Sequence, residues 1–300
     1  MIAVNLGQLE AADSYCRQIL RHYENFTVAS HLAPRRLRSD LMRIYAFART
    51  TDDIGDESGE PAFAVKRLER WKAELEALFN GVLPSHPVLI ALAPTLVKHK
   101  LPMQPFFDLI HANLQDQQVS QYEDWPALLG YCRLSAAPVG RLVLQLFDVT
   151  DRRAMPLSDD VCIGLQLANF AQDVENDARR GRCYLLQQDV RAFGEKGAIQ
   201  AMCSRARELL ASGLALEAMV GGRLRLQLEL YRLGGEAILD AIAAIDYDTA
   251  HRRPVVSDGE RWRILGRAAR DFLALPGAGY VMSPAPQASS DAELQGRRRG

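Results

Sequence analysis

The sequence predicts an all-α chain, and three observations carry that reading. Apolar residues recur at helical spacing through most of the 300 residues. No period-2 run is sustained, and no Asn-Gly or Asp-Gly hairpin separates β-branched segments. The breaks between helical stretches are short, and none is a Gly/Ser linker, which favours one domain over two.

Taken in order, Arg38–Asp53 places Leu41, Met42, Ile44, Tyr45, Phe47 and Ala48 on one buried helical face. Phe63–Phe79 is amphipathic, with Glu, Lys and Arg outside. Pro105–Asp116 and Trp125–Phe147 follow as helices. Ser158, ahead of Asp159 and Asp160, is the expected N-cap of a helix running to about Ala178. Ala198–Met219, Arg223–Asp246 and Gly259–Ala274 complete the set. Breaks are expected at Gly81–Pro87, Lys100–Pro105, Thr150–Pro156, Gly181–Phe193 and Ala250–Asp258. Beyond Gly279 the composition turns to Ser, Pro and Gln and ends in Arg297–Arg299, so residues 280–300 are expected to be a disordered tail.

Composition narrows the function. Hydrophobic residues make up 48% and charged residues 24%, enough apolar material for a packed core, and the net charge is −1. No compact basic stripe precedes the C-terminus, so nucleic acid is not an expected partner. The five cysteines are odd in number, dispersed and never in a C-x-x-C pair, which fits reduced cytosolic thiols. The N-terminus lacks the basic and apolar regions of a signal peptide. No apolar run is read as approaching the roughly 20 residues of a bilayer span, so any membrane contact is expected to be transient and at the surface.

The chemistry concentrates in two stretches. In Arg49-Thr-Thr-Asp52-Asp53-Ile-Gly-Asp56-Glu57, Asp52 and Asp56 share a helical face, and Asp53 and Glu57 form a second i,i+4 pair. Four carboxylates so close repel one another unless cations or solvent compensate. An exposed acidic patch at a helix end is the plainer alternative. In Gln166-Leu-Ala-Asn169-Phe-Ala-Gln172-Asp173-Val-Glu-Asn-Asp177, Asn169, Asp173 and Asp177 form one stripe beside apolar Leu165, Ala168 and Val174. Polar side chains beside a core face are costly unless satisfied, and metal with phosphate satisfies this set more readily than packing does. If the two helices face each other, their oxygens would hold Mg²⁺, which takes few protein carboxylates and completes its octahedron with phosphate and water. Arg49 lies one turn before Asp52, and Arg182 and Tyr184 follow the second motif; all three are candidates to bind phosphate. Arg179 and Arg180 are read as ordinary helix C-capping charges.

Together these stretches resemble the squalene/phytoene synthase family from about Tyr15 to Phe272. The first family motif matches Arg49, Asp52 and Asp56, and the second matches Asn169, Asp173 and Asp177 with Gln166 a turn earlier. The early His-x-x-x-Phe element matches His22 and Phe26. The Tyr-Cys…Val-Gly element matches Tyr131, Cys132, Val139 and Gly140. The resemblance implies a single isoprenoid synthase domain, here 1–279, with two aspartate-rich helices facing a central cavity. It implies Mg²⁺ held by Asp52, Asp53, Asp56, Asn169, Asp173 and Asp177. It also implies an isoprenoid diphosphate bound by His22, Arg49, Tyr131, Gln166, Asn169 and Arg182, with Tyr184 at the reacting centre. Gln172 stands where the family usually has arginine, and Tyr23 where serine often follows the histidine. The stretches around His22, Tyr45 and Tyr131 are similar to the hydroxysqualene synthase branch. That branch is implied to ionise presqualene diphosphate and let water capture the rearranged cation, in bacterial squalene and hopanoid biosynthesis, without NADPH and beside other enzymes of that pathway. A cytoplasmic location, peripheral to the inner membrane face, goes with it. The rivals are head-to-head condensation of two prenyl diphosphates, terpene cyclisation, and a non-catalytic scaffold on the same fold.

Overall fold

The computed structural model describes residues 5–21 and 32–274. The expectations placed on His22, Tyr23, Phe26 and the 280–300 tail fall outside those residues. The described chain is helical throughout, apart from one two-stranded parallel pair, as the periodicity predicts.

Helix α1, Leu6–Ile19, is capped by Asn5, whose side chain accepts from the Gln8 amide. A 3₁₀ turn, Arg35–Leu37, leads into α2, Arg38–Asp56. Then come α3, Pro61–Phe79, α4, Pro87–His99, and α5, Gln104–Gln115, with proline in the first turn of each. Strand β1, Gln121–Tyr122, precedes α6, Trp125–Ser135, and α7, Ala137–Leu146. Helices α8, Ala154–Gln172, and α9, Val174–Arg179, are followed by β2, Cys183–Leu186. Helices α10, Gln187–Met219, α11, Gly222–Ala244, and α12, Asp258–Ala274, end the described chain.

Several boundaries differ from the sequence reading, each for a local reason. The helix expected over Trp125–Phe147 is two helices, divided at Ala136, because Pro138 can neither donate to the preceding turn nor avoid its carbonyls. The window Trp125–Leu146 does satisfy the length and composition of a bilayer span, at a mean hydropathy of 1.2, contrary to the expectation of no such run. In this fold its Leu128, Cys132 and Leu142 are fully buried in the protein's own cores. Ser158 is not an N-cap: α8 begins at Ala154, and Ser158 is buried within it. That helix ends at Gln172 rather than running to Ala178, because the Asp173 backbone leaves the helical region. Helix α10 starts eleven residues before the expected Ala198, broken at Gly194 (φ 71°). The buried Asp189 before the break pairs at 2.6 Å with Arg205 after it, folding the first turns against the rest. The expectation gave no helix to α1 or α4: α4 is apolar on nearly all sides and so shows no helical period.

Two apolar cores flank the middle of the molecule. The first joins α1–α5 and α7 around Phe47, which stacks on Trp71 (5.5 Å) and meets Phe106 edge-on (5.1 Å). The second joins α6, α8, α10 and α11 with the strand pair. Charged clamps lie at the seams. Arg43 of α2 forks onto Asp13 of α1, and buried Asp40 accepts from Thr95, Lys98 and His99 of α4. Arg141 of α7 forks onto Asp159 of α8. Just before it, a Cβ on Gly140 would lie 2.5 Å from Ser158 Oγ and 2.6 Å from Cys162 Sγ, so α7 and α8 can approach this closely only over glycine. Gly140→Ala is therefore expected to destabilise the protein by about 1–3 kcal/mol in denaturant unfolding. An unchanged midpoint would mean that this seam is not close-packed.

Candidate active site

The site starts with the end of α2. Thr51 is fully buried; it donates to the Phe47 carbonyl and accepts from the Trp71 indole, both at 2.9 Å. That fixes the rotation of the last turns and leaves Asp52 and Asp56 facing the interior space. Asp52 accepts from Asn113 of α5 at 3.1 Å. The same Asn113 amide lies so close to Gly55 that a side chain there would collide with it. The glycine inside the acidic motif thus lets α5 reach the first aspartate.

The second motif comes from α8 and α9. The helix break at Asp173 bends the expected straight stripe, with Asn169 on one side and Asp177 on the other. Beyond α9, β2 pairs with β1, Cys183 N–H donating to the Ser120 carbonyl at 2.7 Å. This returns Arg182 and Tyr184 to the end of α5. Tyr184 and Tyr131 hydroxyls both donate to Asp116, at 3.1 and 2.7 Å. Arg182 and Arg180 donate to the two oxygens of Asp56, at 2.8 and 3.1 Å.

These elements enclose a cavity of about 250 Å³. Arg49, Asp52 and Asp56 line it from the first motif, and Gln166, Asn169, Asp173 and Asp177 from the second, with Arg182, Tyr131 and Tyr184 between them. Of the expected site residues, Asp53 stands apart. It is paired with Arg49 at 2.6 Å and lines an adjoining outer chamber of about 500 Å³, not the inner cavity. Arg180 also departs from its expected capping role, since it reaches Asp56 across the chain; Arg179 stays local, on Glu175. His22 lies outside the described residues.

Sequence reasoning missed Asn113, Asp116 and Arg253. The first two close α5, which also carries Gln104, Asp108, His111 and Gln115, so no local pattern set them apart. Arg253, in the segment between α11 and α12, spans both oxygens of Asp173, an 80-residue separation no local pattern reveals. Gln172 is buried and turned from the cavity: its amide donates to the Pro254 carbonyl at 2.7 Å, pinning the segment that carries Arg253.

The electrostatics show carboxylates short of positive charge. Burial, with Asp56 nearby, pushes the Asp52 carboxyl up to about 7 despite the Asn113 hydrogen bond. Burial and Asp173 push Asp177 up to about 7, against the pull of Arg180 and Arg182. Burial likewise raises Asp116, opposed by Arg182 and the two tyrosines. Burial works against the Arg182 cation, but Asp116, Tyr184 and Asp56 more than offset it. The tyrosines stay protonated, burial and Asp116 both raising them. Phe170 stacks on Tyr184 at 3.8 Å, and Tyr131 lies 5.6 Å from Tyr184, so aromatic faces form one wall.

A divalent cation fits this donor set. Asp52, Asp56, Asn169, Asp173 and Asp177 offer hard oxygens, and two of the carboxyls carry an unfavourable charge that a cation would relieve. Among the described residues no group of three acidic, histidine or cysteine side chains is close enough to hold a metal ion by itself. A divalent cation held here would have to complete its shell with water and phosphate.

Comparison with known proteins agrees with the geometry. The model of the squalene/phytoene synthase family matches residues 19–260. A hydroxysqualene synthase of Rhodopseudomonas palustris is 31% identical over 289 residues, 88% of this chain and 95% of its own. Phytoene synthase 3 of Zea mays is 30% identical over 318 residues, 98% of this chain and 71% of its own. The crystal structure of squalene synthase HpnC from Alicyclobacillus acidocaldarius is 40% identical, with a TM-score of 0.75 over 81% of this chain and 97% of that one.

The raised carboxyls have a measurable consequence. Asp52 and Asp177 hold protons in the fold up to about pH 7, whereas unfolded carboxyls release them near 3.8. The folded state therefore binds more protons in that window, and stability falls as pH rises through it. In chelator, Asp52→Asn and Asp177→Asn are each expected to melt above wild type at about pH 8 and level with it at about pH 4. An offset equal at both pH values would refute the assignment.

Proposed function

The chain belongs to the squalene/phytoene synthase family, enzymes that process prenyl diphosphates, and from that premise we propose that it converts presqualene diphosphate to hydroxysqualene. The observation that carries the reading is the opening of both acidic motifs, with Arg49 and Arg182, onto one cavity. Its similarity to HpnC and to the Rhodopseudomonas hydroxysqualene synthase favours this branch.

In this reading the diphosphate enters between the motifs. Arg49 and Arg182 exchange part of their pairing with Asp53 and Asp56 for phosphate oxygens, while Gln166 and Asn169 orient the leaving group from α8. Mg²⁺, held by Asp52, Asp56, Asn169, Asp173 and Asp177, would stabilise charge developing on the departing oxygen. The C–O bond breaks with its electron pair going to pyrophosphate. The faces of Tyr131, Phe170 and Tyr184 favour the carbocation that remains, and their protonated phenols do not compete as phenolate nucleophiles. Water adds to the rearranged cation and loses a proton, to pyrophosphate or bulk base. The reaction consumes water rather than NADPH.

Head-to-head condensation of two prenyl diphosphates is the second reading. It is supported by the phytoene synthase likeness over 98% of this chain, and by the outer chamber that shares Arg49, Asp56, Asp116 and Arg182 with the inner one. A scaffold without catalysis is disfavoured because both motifs retain their side chains on the cavity.

Purified protein incubated with Mg²⁺ and presqualene diphosphate, without NADPH, is expected to give hydroxysqualene by mass spectrometry and nothing from farnesyl diphosphate. Presqualene diphosphate, or a C30 or C40 hydrocarbon, from a prenyl diphosphate would instead establish condensation. Asp52→Asn and Asp173→Asn are each expected to lower kcat by about a hundredfold or more. Loss below tenfold would remove them from the machinery.

A further inference from the structure

Helix α12 has two faces. Ala268 is buried, and Ile264, Glu260 and Asp271 share its side, so this face packs on the body of the protein. On the other side Trp262, Leu265, Phe272 and Leu273 fall within an arc of about 100°. They are 73%, 45%, 41% and 80% exposed. Ala269 lies between them and is exposed as well.

The charges are sorted in the same way. Arg263, Arg267 and Arg270 run along one edge of the apolar strip and Arg261 along the other, all exposed. The helix has three acids against these four arginines. Glu260 and Asp271 lie on the packed side, leaving Asp258, in the first turn, as the outward acid. The arginines pair with neighbouring acids along the helix, Arg263 with Glu260 and Arg270 with Asp271. Such exposed pairs contribute little and yield readily to another anion. An apolar strip rimmed by arginine is the pattern of a helix lying in a membrane interface, with side chains in the acyl boundary and guanidiniums at anionic headgroups.

The strip's position adds to this. The segment feeding α12 carries Arg253 to Asp173 at the cavity and Val255, itself 66% exposed, between the two. The segment that touches the cavity through Arg253 thus leads directly into α12. We infer that the outer face of α12, centred on Trp262, Leu265, Phe272 and Leu273, is a docking surface for an anionic lipid bilayer. This does not depend on which diphosphate the cavity takes.

Full-length protein is mixed with vesicles of phosphatidylcholine containing phosphatidylglycerol, and with phosphatidylcholine alone. Co-sedimentation with the anionic vesicles is expected, with a blue shift of tryptophan emission that disappears in Trp262→Phe, since Trp71 is buried and Trp125 is half-buried against the second core. The double variant Trp262→Ser/Leu273→Ser is expected to bind about tenfold or more weakly, with unchanged circular dichroism and melting temperature. The variant Arg263→Gln/Arg267→Gln/Arg270→Gln is expected to lose its preference for the anionic vesicles. Three outcomes would each overturn the proposal: no sedimentation of wild type, sedimentation unaffected by the double variant, or a wild-type dimer that the double variant dissociates while vesicles are ignored. The first would point to chain beyond residue 274 as the cover of this face, the last to a second copy.

Discussion

Carboxylates facing one another across a small, partly buried space are the constraint around which this molecule is arranged. Asp52, Asp56, Asp173 and Asp177 would repel one another without help, and the fold supplies that help from far along the chain. Asn113 reaches Asp52 from α5, Arg180 and Arg182 reach Asp56 from beyond α9, and Arg253 reaches Asp173 from beyond α11. The compensation is incomplete: Asp52 and Asp177 stay unusually reluctant to ionise. A site neutralised in full would have nothing left to offer a cation.

The rest of the architecture fixes these groups in place. The Thr51–Trp71 bond and the aromatic stack on Phe47 set the rotation of α2. The close approach over Gly140 and the fork of Arg141 onto Asp159 hold α7 against α8. The buried Arg232–Glu217 pair joins α10 to α11, upstream of the segment that delivers Arg253. None of these residues lines the cavity; each bears on it through the helix it holds.

Much of this was legible in the sequence because helices advertise their faces. The spacing of Asp52 and Asp56, and of Asn169, Asp173 and Asp177, placed both sets on common faces, and the structure opens both onto one cavity. Periodicity failed where the physics is not periodic. The uniformly apolar α4 has no polar face to reveal it, and the chain division at Ala136 depends on one proline that the apolar pattern overrides. Gln172, which stands where the family usually has arginine, turns its side chain to Pro254, a contact 82 residues away that no local rule contains. Arg253 and Asp116 escaped for the same reason.

The two-stranded ladder after α9 bears on how this chain can vary. Arg182 stands immediately before the strand and Tyr184 within it, and both line the cavity while Cys183 is paired with Gln121. Inserting one residue between Arg182 and Tyr184 would disturb the spacing that lets Arg182 reach Asp56 while Tyr184 reaches Asp116, whatever its effect on stability. In this stretch of a few residues the spacing, more than the composition, is what brings the two side chains to the cavity.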